Sequence, residues 1–203
     1  MKVRLLSTSF GLRKPEVRNG HRNFWISLGA AAVLTGSVSL HAAGEAQALE
    51  PDLDRLLGTY RFVGGQEEVR KVERAIDKAV DEMNVFIRGI ARRRLEEPNL
   101  PTDELRISLT DGAITVARTG QPAISAPATG ERITWRNPTN GNELEVTHRI
   151  TEEGALEQKL IGDRGTSRNV FRLRKDGQVQ MKTTITADKL PSTIRFATTY
   201  ARK

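Results

Sequence analysis

The sequence predicts a mainly β protein: a closed antiparallel up-and-down barrel of about ten strands, with a helical segment between strands 1 and 2. Three observations support this prediction. From Glu104 onward, apolar and polar residues alternate with a period of two, as in strands with one buried face. Dipeptides that end in glycine separate the alternating runs. Between 66 and 97, apolar residues instead recur at spacings of three and four, as in a helix.

The first strand is expected at 57–63, where it ends before two glycines. The helical segment follows from Gln66, either as one amphipathic helix or as two helices broken near Asn84 or Gly89, and Pro98 and Pro101 end it. Its apolar positions are Val69, Val72, Ile76, Ala79, Val80, Met83, Phe86, Ile87 and Ile90.

Nine further strands are expected near 104–109, 112–118, 122–126, 131–136, 143–150, 155–162, 166–174, 178–187 and 193–202. The dipeptides between them are Asp111-Gly112, Asn140-Gly141, Glu153-Gly154, Arg164-Gly165 and Asp176-Gly177. Glycine adopts the positive φ that tight hairpin turns require, so consecutive strands are expected to pair antiparallel. A meander this long must close, or split into two sheets, to cover its edge strands.

Polar residues on the apolar face of these strands are informative, because burying a polar group without a partner is costly. They are His148, Gln158, Thr183, Thr198 and Tyr200. One interpretation is a partly polar cavity that fixes the head group of a ligand inside the barrel. The other is an interior filled by side chains whose polar groups bond to one another. Considered alone, His148 is best explained as a structural histidine.

The N-terminal segment is typical of a secretory signal. Residues 1–23 are basic, an apolar run of 17 residues occupies 24–40, and 46–48 has the small-x-small pattern of a cleavage site. We therefore expect a signal peptide at 1–48 and a barrel domain at 49–203. The protein is expected to be exported to the periplasm or the exterior, and a leader that is retained as an anchor is the alternative.

Composition excludes several classes of function. The leader holds six of the 32 Lys and Arg residues and two of the 25 acids, which leaves the barrel domain a net charge of +3. Nucleic-acid binding therefore loses its main support. The chain has no cysteine, and it contains no Gly-x-Ser-x-Gly motif, metal-ligand spacing or phosphate-binding loop. The sequence predicts no catalytic residue, no cofactor and no metal, and it leaves the oligomeric state open.

The first predicted strand contains the segment GTYRFV at 58–63, and the last contains TTYAR at 198–202. These segments resemble the opening and last strands of the intracellular fatty-acid-binding proteins, within the lipocalin-like (calycin) group. Tyr200 stands at the tyrosine that helps to bind a ligand carboxylate in that family. At the family's arginine, two residues earlier, this sequence has Thr198.

The resemblance implies a binding protein for a lipid or another small apolar ligand. Tyr200, His148, Thr198 and Gln158 would supply its polar contacts, and Phe196, Met181, Val146 and Ile150 the apolar walls. The alternatives are a structural or interaction module of the cell envelope with a packed interior, and an enzyme with an unrecognised site.

A run of three cations, Arg92, Arg93 and Arg94, ends the helical segment. The run could bring the helices onto an anionic membrane surface during ligand transfer. The simpler interpretation is a solvated helix end, where cations favour the helix dipole.

Overall fold

A computed structural model describes residues 50–203, with side chains from Leu53 onward, and the predicted leader lies outside them. The elements in chain order are α1 (Glu50–Leu56), β1 (Gly58–Phe62), α2 (Gly65–Asp81), α3 (Val85–Asn99), β2 (Glu104–Thr110), β3 (Ala113–Arg118), β4 (Ile124–Pro127), β5 (Ile133–Arg136), β6 (Glu143–Ile150), β7 (Leu156–Gly162), β8 (Gly165–Leu173), β9 (Val179–Ala187) and β10 (Ile194–Arg202). The predicted fold class, strand count and position of the helical segment are confirmed. Helix α1 was not predicted.

All ten strands form one antiparallel sheet in the order β4-β3-β2-β1-β10-β9-β8-β7-β6-β5. Consecutive strands pair with each other except β4 and β5, which form the two ends of the sheet. The two helices connect β1 to β2, and short turns connect the other consecutive pairs. At the β2–β3 turn, Asp111 and Gly112 both have positive φ, 51° and 75°, as the tightest hairpin turns require. The pairing of β1 with β10 brings the first and last strands of the barrel together.

The barrel closes where the β4 end of the sheet meets β6, a contact called the seam below. Its main-chain links are a bridge between Thr129 and Arg149 and a hydrogen bond of 2.9 Å from Gly130 N to His148 O. The β8–β9 ladder, in comparison, has nine paired positions. The barrel is therefore nearly closed, and the seam has few main-chain bonds.

Helix α2 covers one end of the barrel. Its buried residues, which include Val72 and Ile76, pack against Ile185 and Ile194 at neighbouring strand ends. The Glu68 carboxylate accepts hydrogen bonds of 2.7 Å from the backbone N and the hydroxyl of Thr199 in β10. At the opposite strand ends, α1 packs its leucines into a second apolar cluster.

Helix α3 begins at Asn84, whose side chain accepts from the backbone N of Phe86 at 3.0 Å. Of the two predicted break points, the structure has the one near Asn84. The helix continues through Pro98 to Asn99, two residues beyond its predicted end. None of its residues is buried, and the Phe86 side chain is 88% exposed. The predicted apolar face is thus buried along α2 and exposed at the start of α3.

Candidate functional site inside the barrel

The predicted site residues lie on the inward-facing positions of β6, β7, β9 and β10. Six of them are buried: Tyr200, His148, Met181, Thr198, Gln158 and Val146. Phe196 packs against the α2 cluster and Ile150 against the α1 cluster, and both are partly exposed. The structure thus places these residues on one inner surface, and ligand binding by them stays a prediction.

Four inward-facing polar side chains on adjacent strands form a line of hydrogen bonds, called the polar belt below. Thr183 Oγ1 donates to Asn169 Oδ1 at 2.8 Å, and Asn169 Nδ2 donates to Gln158 Oε1 at 3.0 Å. Gln158 Nε2 and His148 Nε2 are 2.9 Å apart. Each pair lies directly opposite across two neighbouring strands. Asn169 was missed by the sequence reading, although it alternates with Phe171 on the inner face of β8.

The hydrogen bonds of His148 define its neutral form. Nδ1 lies 2.9 Å from the carbonyl oxygen of Ile114, which can only accept, so Nδ1 carries the proton and Nε2 accepts from Gln158. Burial lowers the pKa of His148 below its ordinary value of 6.5, and the carbonyls of Ile114 and Ala126 only partly oppose this shift. His148 is therefore a neutral structural histidine in this state.

Arg118 is an inward-facing cation that the sequence reading missed. It follows Ile114 and Val116 on the inner face of β3, so the alternation of that strand could have identified it. Its terminal nitrogens donate to the carbonyls of Pro98 and Leu100 at 3.0 and 2.9 Å, beneath the end of α3. None of the described carboxylates forms an ion pair with it.

Three buried polar atoms on the inner faces of β3 and β10 form no hydrogen bond of good geometry with the described residues: Arg118 Nε, Tyr200 Oη and Thr198 Oγ1. Burial lowers the pKa of Arg118, and the charge interaction and hydrogen bond with the Tyr200 hydroxyl oppose this shift. Thr198 precedes Tyr200 by two residues on the same strand face. A guanidinium and two hydroxyls directed inward can donate to an anionic group.

Side chains occupy the space beside the predicted apolar walls. Met181 and Val146 are 1% and 0% exposed, so neither borders a space that would admit a water molecule. One surface cavity, of about 210 Å³, lies between the α2–α3 turn and the β9–β10 turn. Another, of about 400 Å³, lies beside the β7–β8 turn. The ligand site proposed from the sequence is therefore closed in this conformation.

The arginine run at the end of the helical segment is divided between two environments. Arg92 forms an ion pair of 2.6 Å with Asp77 of α2, which ties the two helices together. Arg93 and Arg94 are exposed and form no ion pair within the described part of the chain.

Between residues 50 and 203, no helix has the length and apolar character needed to cross a membrane. Over the same residues, no three His, Asp or Glu side chains are grouped so that they could hold a metal ion.

No protein-family model and no curated protein matches this sequence. Among solved structures, the chain is similar to a fatty acid binding protein of Schistosoma mansoni in complex with arachidonic acid, at 15% identity and a TM-score of 0.47, over 75% of this chain and 98% of that one. It is also similar to lipid binding protein 8 of Caenorhabditis elegans, at 11% identity and a TM-score of 0.45, over 74% and 96% of the two chains. A luciferase domain of the dinoflagellate Lingulodinium polyedrum has 13% identity and a TM-score of 0.44, over 72% and 41%.

Proposed function

We propose that this barrel binds a small amphipathic lipid, with its anionic head group at Arg118 and Tyr200. The observation that carries the proposal is the buried Arg118 guanidinium, which pairs with no described carboxylate and has the Tyr200 hydroxyl as a hydrogen-bonding neighbour. Its other partners are the carbonyls of Pro98 and Leu100, so no negative charge compensates the buried cation, and such burial is costly. A carboxylate in this place would accept from both Arg118 and Tyr200 and supply the missing charge.

The cation of this site comes from β3 instead of the last strand. Thr198 occupies the place of the arginine in the resembled family, and Arg118 supplies a guanidinium from β3, three places from β10 in the sheet order. Arginine suits a carboxylate because its planar group can donate two parallel hydrogen bonds. Entry of the apolar chain requires side chains such as Met181 to move, since they fill the interior.

The test compares a long-chain fatty acid with the alcohol of the same chain length, each displacing a fluorescent apolar probe from delipidated full-length protein. We expect the acid to bind more tightly, and Arg118→Met to remove that preference. Hydrogen bonds to charged groups contribute about 1.5–3 kcal/mol, or roughly 10- to 150-fold in affinity. Tyr200→Phe removes one neutral hydrogen bond and should weaken binding by about tenfold or less.

Arg195→Met is the matched control, because Arg195 is exposed on the outer face of β10 and has no ion pair among the described residues. Arg118→Lys keeps a cation and should retain part of the preference if the methionine variant does not fold. Equal affinity of wild type for acid and alcohol would contradict a carboxylate site.

The alternative function is a structural or interaction module of the envelope, whose interior is simply packed. The nearly complete burial of Met181 and Val146 favours it. No saturable binding of any lipid class by the delipidated protein would select this alternative. In either case we propose a non-enzymatic role, because both ring nitrogens of His148 are engaged in structural hydrogen bonds.

We also propose that the protein is exported, on the strength of the basic, apolar and small-residue order of residues 1–48. Intact-mass analysis of the protein from an exporting host tests this proposal. A mass that retains the leader would contradict cleavage and favour a membrane-anchored form.

We also propose that the protein contacts membranes through α3. This proposal revises the contact that was predicted from the arginine run alone. The exposed apolar residues Val85, Phe86 and Ile90 would enter the headgroup region, and Arg93 and Arg94 would lie against anionic lipid. Arg92 is excluded from this role because it is paired with Asp77.

A further inference from the structure

The seam depends on His148 through both its backbone and its side chain. The His148 carbonyl accepts from Gly130 N at 2.9 Å, and its Nδ1 donates to the Ile114 carbonyl of β3 at the same distance. The only other main-chain link at the seam within residues 50–203 is the Thr129–Arg149 bridge. The His148 side chain therefore contributes a large share of the bonds that close the barrel.

The interior offers no counter-charge to a protonated His148. The facing groups from β3, β4 and β7 are the neutral carbonyls of Ile114 and Ala126 and the amide of Gln158. The charged side chains on the inner faces of the described strands are both cations, Arg118 and Arg202. Acids of the neighbouring strands, Glu143, Glu145 and Glu157, lie on the outer face.

A proton on His148 Nε2 would also oppose the direction of the polar belt. Gln158 already directs an N–H toward Nε2, so the two groups would become two facing donors. A hydrogen bond between Gln158 and the protonated His148 would require the side-chain amide of Gln158 to rotate by half a turn, and the amide of Asn169 would then have to rotate as well. Without a counter-charge, the simpler relief is for the imidazolium to leave the interior for water.

We propose that His148 is an acid-sensitive latch of the barrel seam: protonation releases its side chain from Ile114 and Gln158, and β4 then separates from β6. This device is independent of the proposed lipid function. Because burial lowers the pKa of His148 in the closed barrel, proton uptake favours the open form. As the pH falls from 6.5, the ordinary pKa of histidine, to the lower pKa of His148 in the closed barrel, the fraction of molecules with an open seam should rise about tenfold per pH unit.

The experiment measures amide hydrogen exchange of the full chain from pH 7.5 to 5.0, as protection factors corrected for intrinsic rates. We expect the Gly130 amide, which bonds across the seam, to lose protection as the pH falls. The Val63 amide, which bonds to Thr199 O between β1 and β10, is the internal reference and should keep its protection. A Gly130 amide whose protection does not change with pH would overturn the latch, as would equal losses at both amides.

Two variants locate the effect at His148. His148→Asn places an amide nitrogen near the position of Nδ1, which can donate to Ile114 O but cannot take up a proton, so seam protection should become independent of pH. Gln158→Glu supplies a counter-charge beside Nε2, which should hold the imidazolium inside and shift seam opening by about one pH unit or more to the acid side.

The same loss of protection in His148→Asn as in wild type would overturn the proposal. If that variant does not fold, the direction of the Gln158→Glu shift decides: an unchanged or more alkaline midpoint contradicts the latch. The titration of the His148 imidazole, followed by NMR, should coincide with seam opening in the wild type.

Discussion

At the scale of single residues, Glu157 is a carboxylate buried on the outer face of the barrel. It is 4% exposed and lies between Arg149, whose Nε donates to it at 2.7 Å, and Arg168. Burial alone would raise the pKa of Glu157, but the two arginines together outweigh it and lower the pKa below its ordinary value of 4.5. The arginine side chains therefore both cover the carboxylate and keep it ionised.

We expect Glu157→Gln to lower the free energy of unfolding by about 1–2 kcal/mol at pH 7, because it removes two charge-assisted hydrogen bonds to half-exposed partners. Since the folded-state pKa is lowered, this stabilisation is present above the ordinary value of 4.5 and is lost as the pH falls through the lower folded value. Urea denaturation at neutral and acid pH measures both effects.

The difference in free energy of unfolding between Glu157→Gln and wild type should therefore disappear at acid pH. Glu145→Gln is the control, because Glu145 pairs with Arg132 at an exposed site and should contribute less than about 1 kcal/mol. A difference that is the same at every pH would contradict the role given to the Glu157 charge.

Alternation within strands predicted individual residues well wherever apolar neighbours defined the inner face. His148 and Gln158 were recognised as inward-facing in this way, and they are bonded to each other. Arg118 obeys the same alternation but was missed, because a charged residue at a strand end is ordinarily read as solvated. Its buried position depends on the end of α3, whose carbonyls it binds, and a sequence does not show that contact.

At the scale of elements, the two long helices are attached in different ways. Helix α2 buries an apolar face against the strand ends and is fixed at its start by the Glu68–Thr199 hydrogen bonds. Helix α3 has no fully buried residue, and its Ala91 and Leu95 pack partly buried against the α2 cluster. Arg92 pairs with Asp77 of α2, and Arg118 of β3 donates to the last turn of α3. The exposed apolar residues at the start of α3 therefore contribute little to the stability of the fold.

We expect Phe86→Ser to change the free energy of unfolding by less than about 0.5 kcal/mol, since the ring is 88% exposed. The same variant should weaken binding to anionic phospholipid vesicles by about tenfold or more, because burying a phenylalanine contributes about 1.5–3 kcal/mol. Vesicle co-sedimentation, with and without anionic lipid, measures the binding, and added salt should weaken it through Arg93 and Arg94.

Leu109→Ser is the control for this prediction, because Leu109 is an exposed apolar residue at the β2–β3 turn, away from α3. Equal vesicle binding by the two variants would contradict a membrane contact through α3. Binding that does not depend on anionic lipid would contradict the part assigned to the arginines.

Periodicity predicted the helices but not their surroundings. The three- and four-residue spacing runs on from Ile76 to Ile90, yet its residues in α2 are buried against the barrel, whereas Phe86 and Ile90 in α3 are exposed. The break at Asn84 turns the chain, and Asn84 is a good N-cap because its side chain accepts from a backbone N–H of the first turn. Helix α1 was missed because seven residues give too short a pattern to recognise.

At the scale of the whole molecule, closure joins the two ends of the described chain. Arg202 at the end of β10 donates to the Tyr60 hydroxyl at 3.1 Å and to the Arg55 carbonyl at 2.7 Å. Its guanidinium carbon lies 5.3 Å from the centre of the Tyr60 ring, within the range of a cation–π interaction. The last strand therefore ties α1 to the barrel, and the remaining joint is the seam.

The packing of the whole interior decides whether this closed barrel is filled or hollow in solution, and truncation of Met181 tests that packing. Met181 is 1% exposed within the cluster that also contains Phe171 and Tyr200. In a filled interior, we expect Met181→Ala to lower the free energy of unfolding by about 2–5 kcal/mol, because the truncation leaves a cavity. Urea denaturation measures this loss, and Val170→Ala on the outer face of β8 should cost less.

The same truncation should make room for a ligand, so the Met181→Ala variant should bind an apolar fluorescent probe more tightly than wild type. Bound probe stabilises the folded state in proportion to the logarithm of its concentration, and it should recover part of the lost stability. A loss below about 1 kcal/mol would mean that Met181 borders open space in solution, because removing a side chain from the edge of a cavity forfeits few contacts. Wild type should then bind the probe as tightly as the variant, and ligand entry would need no displacement of the interior side chains.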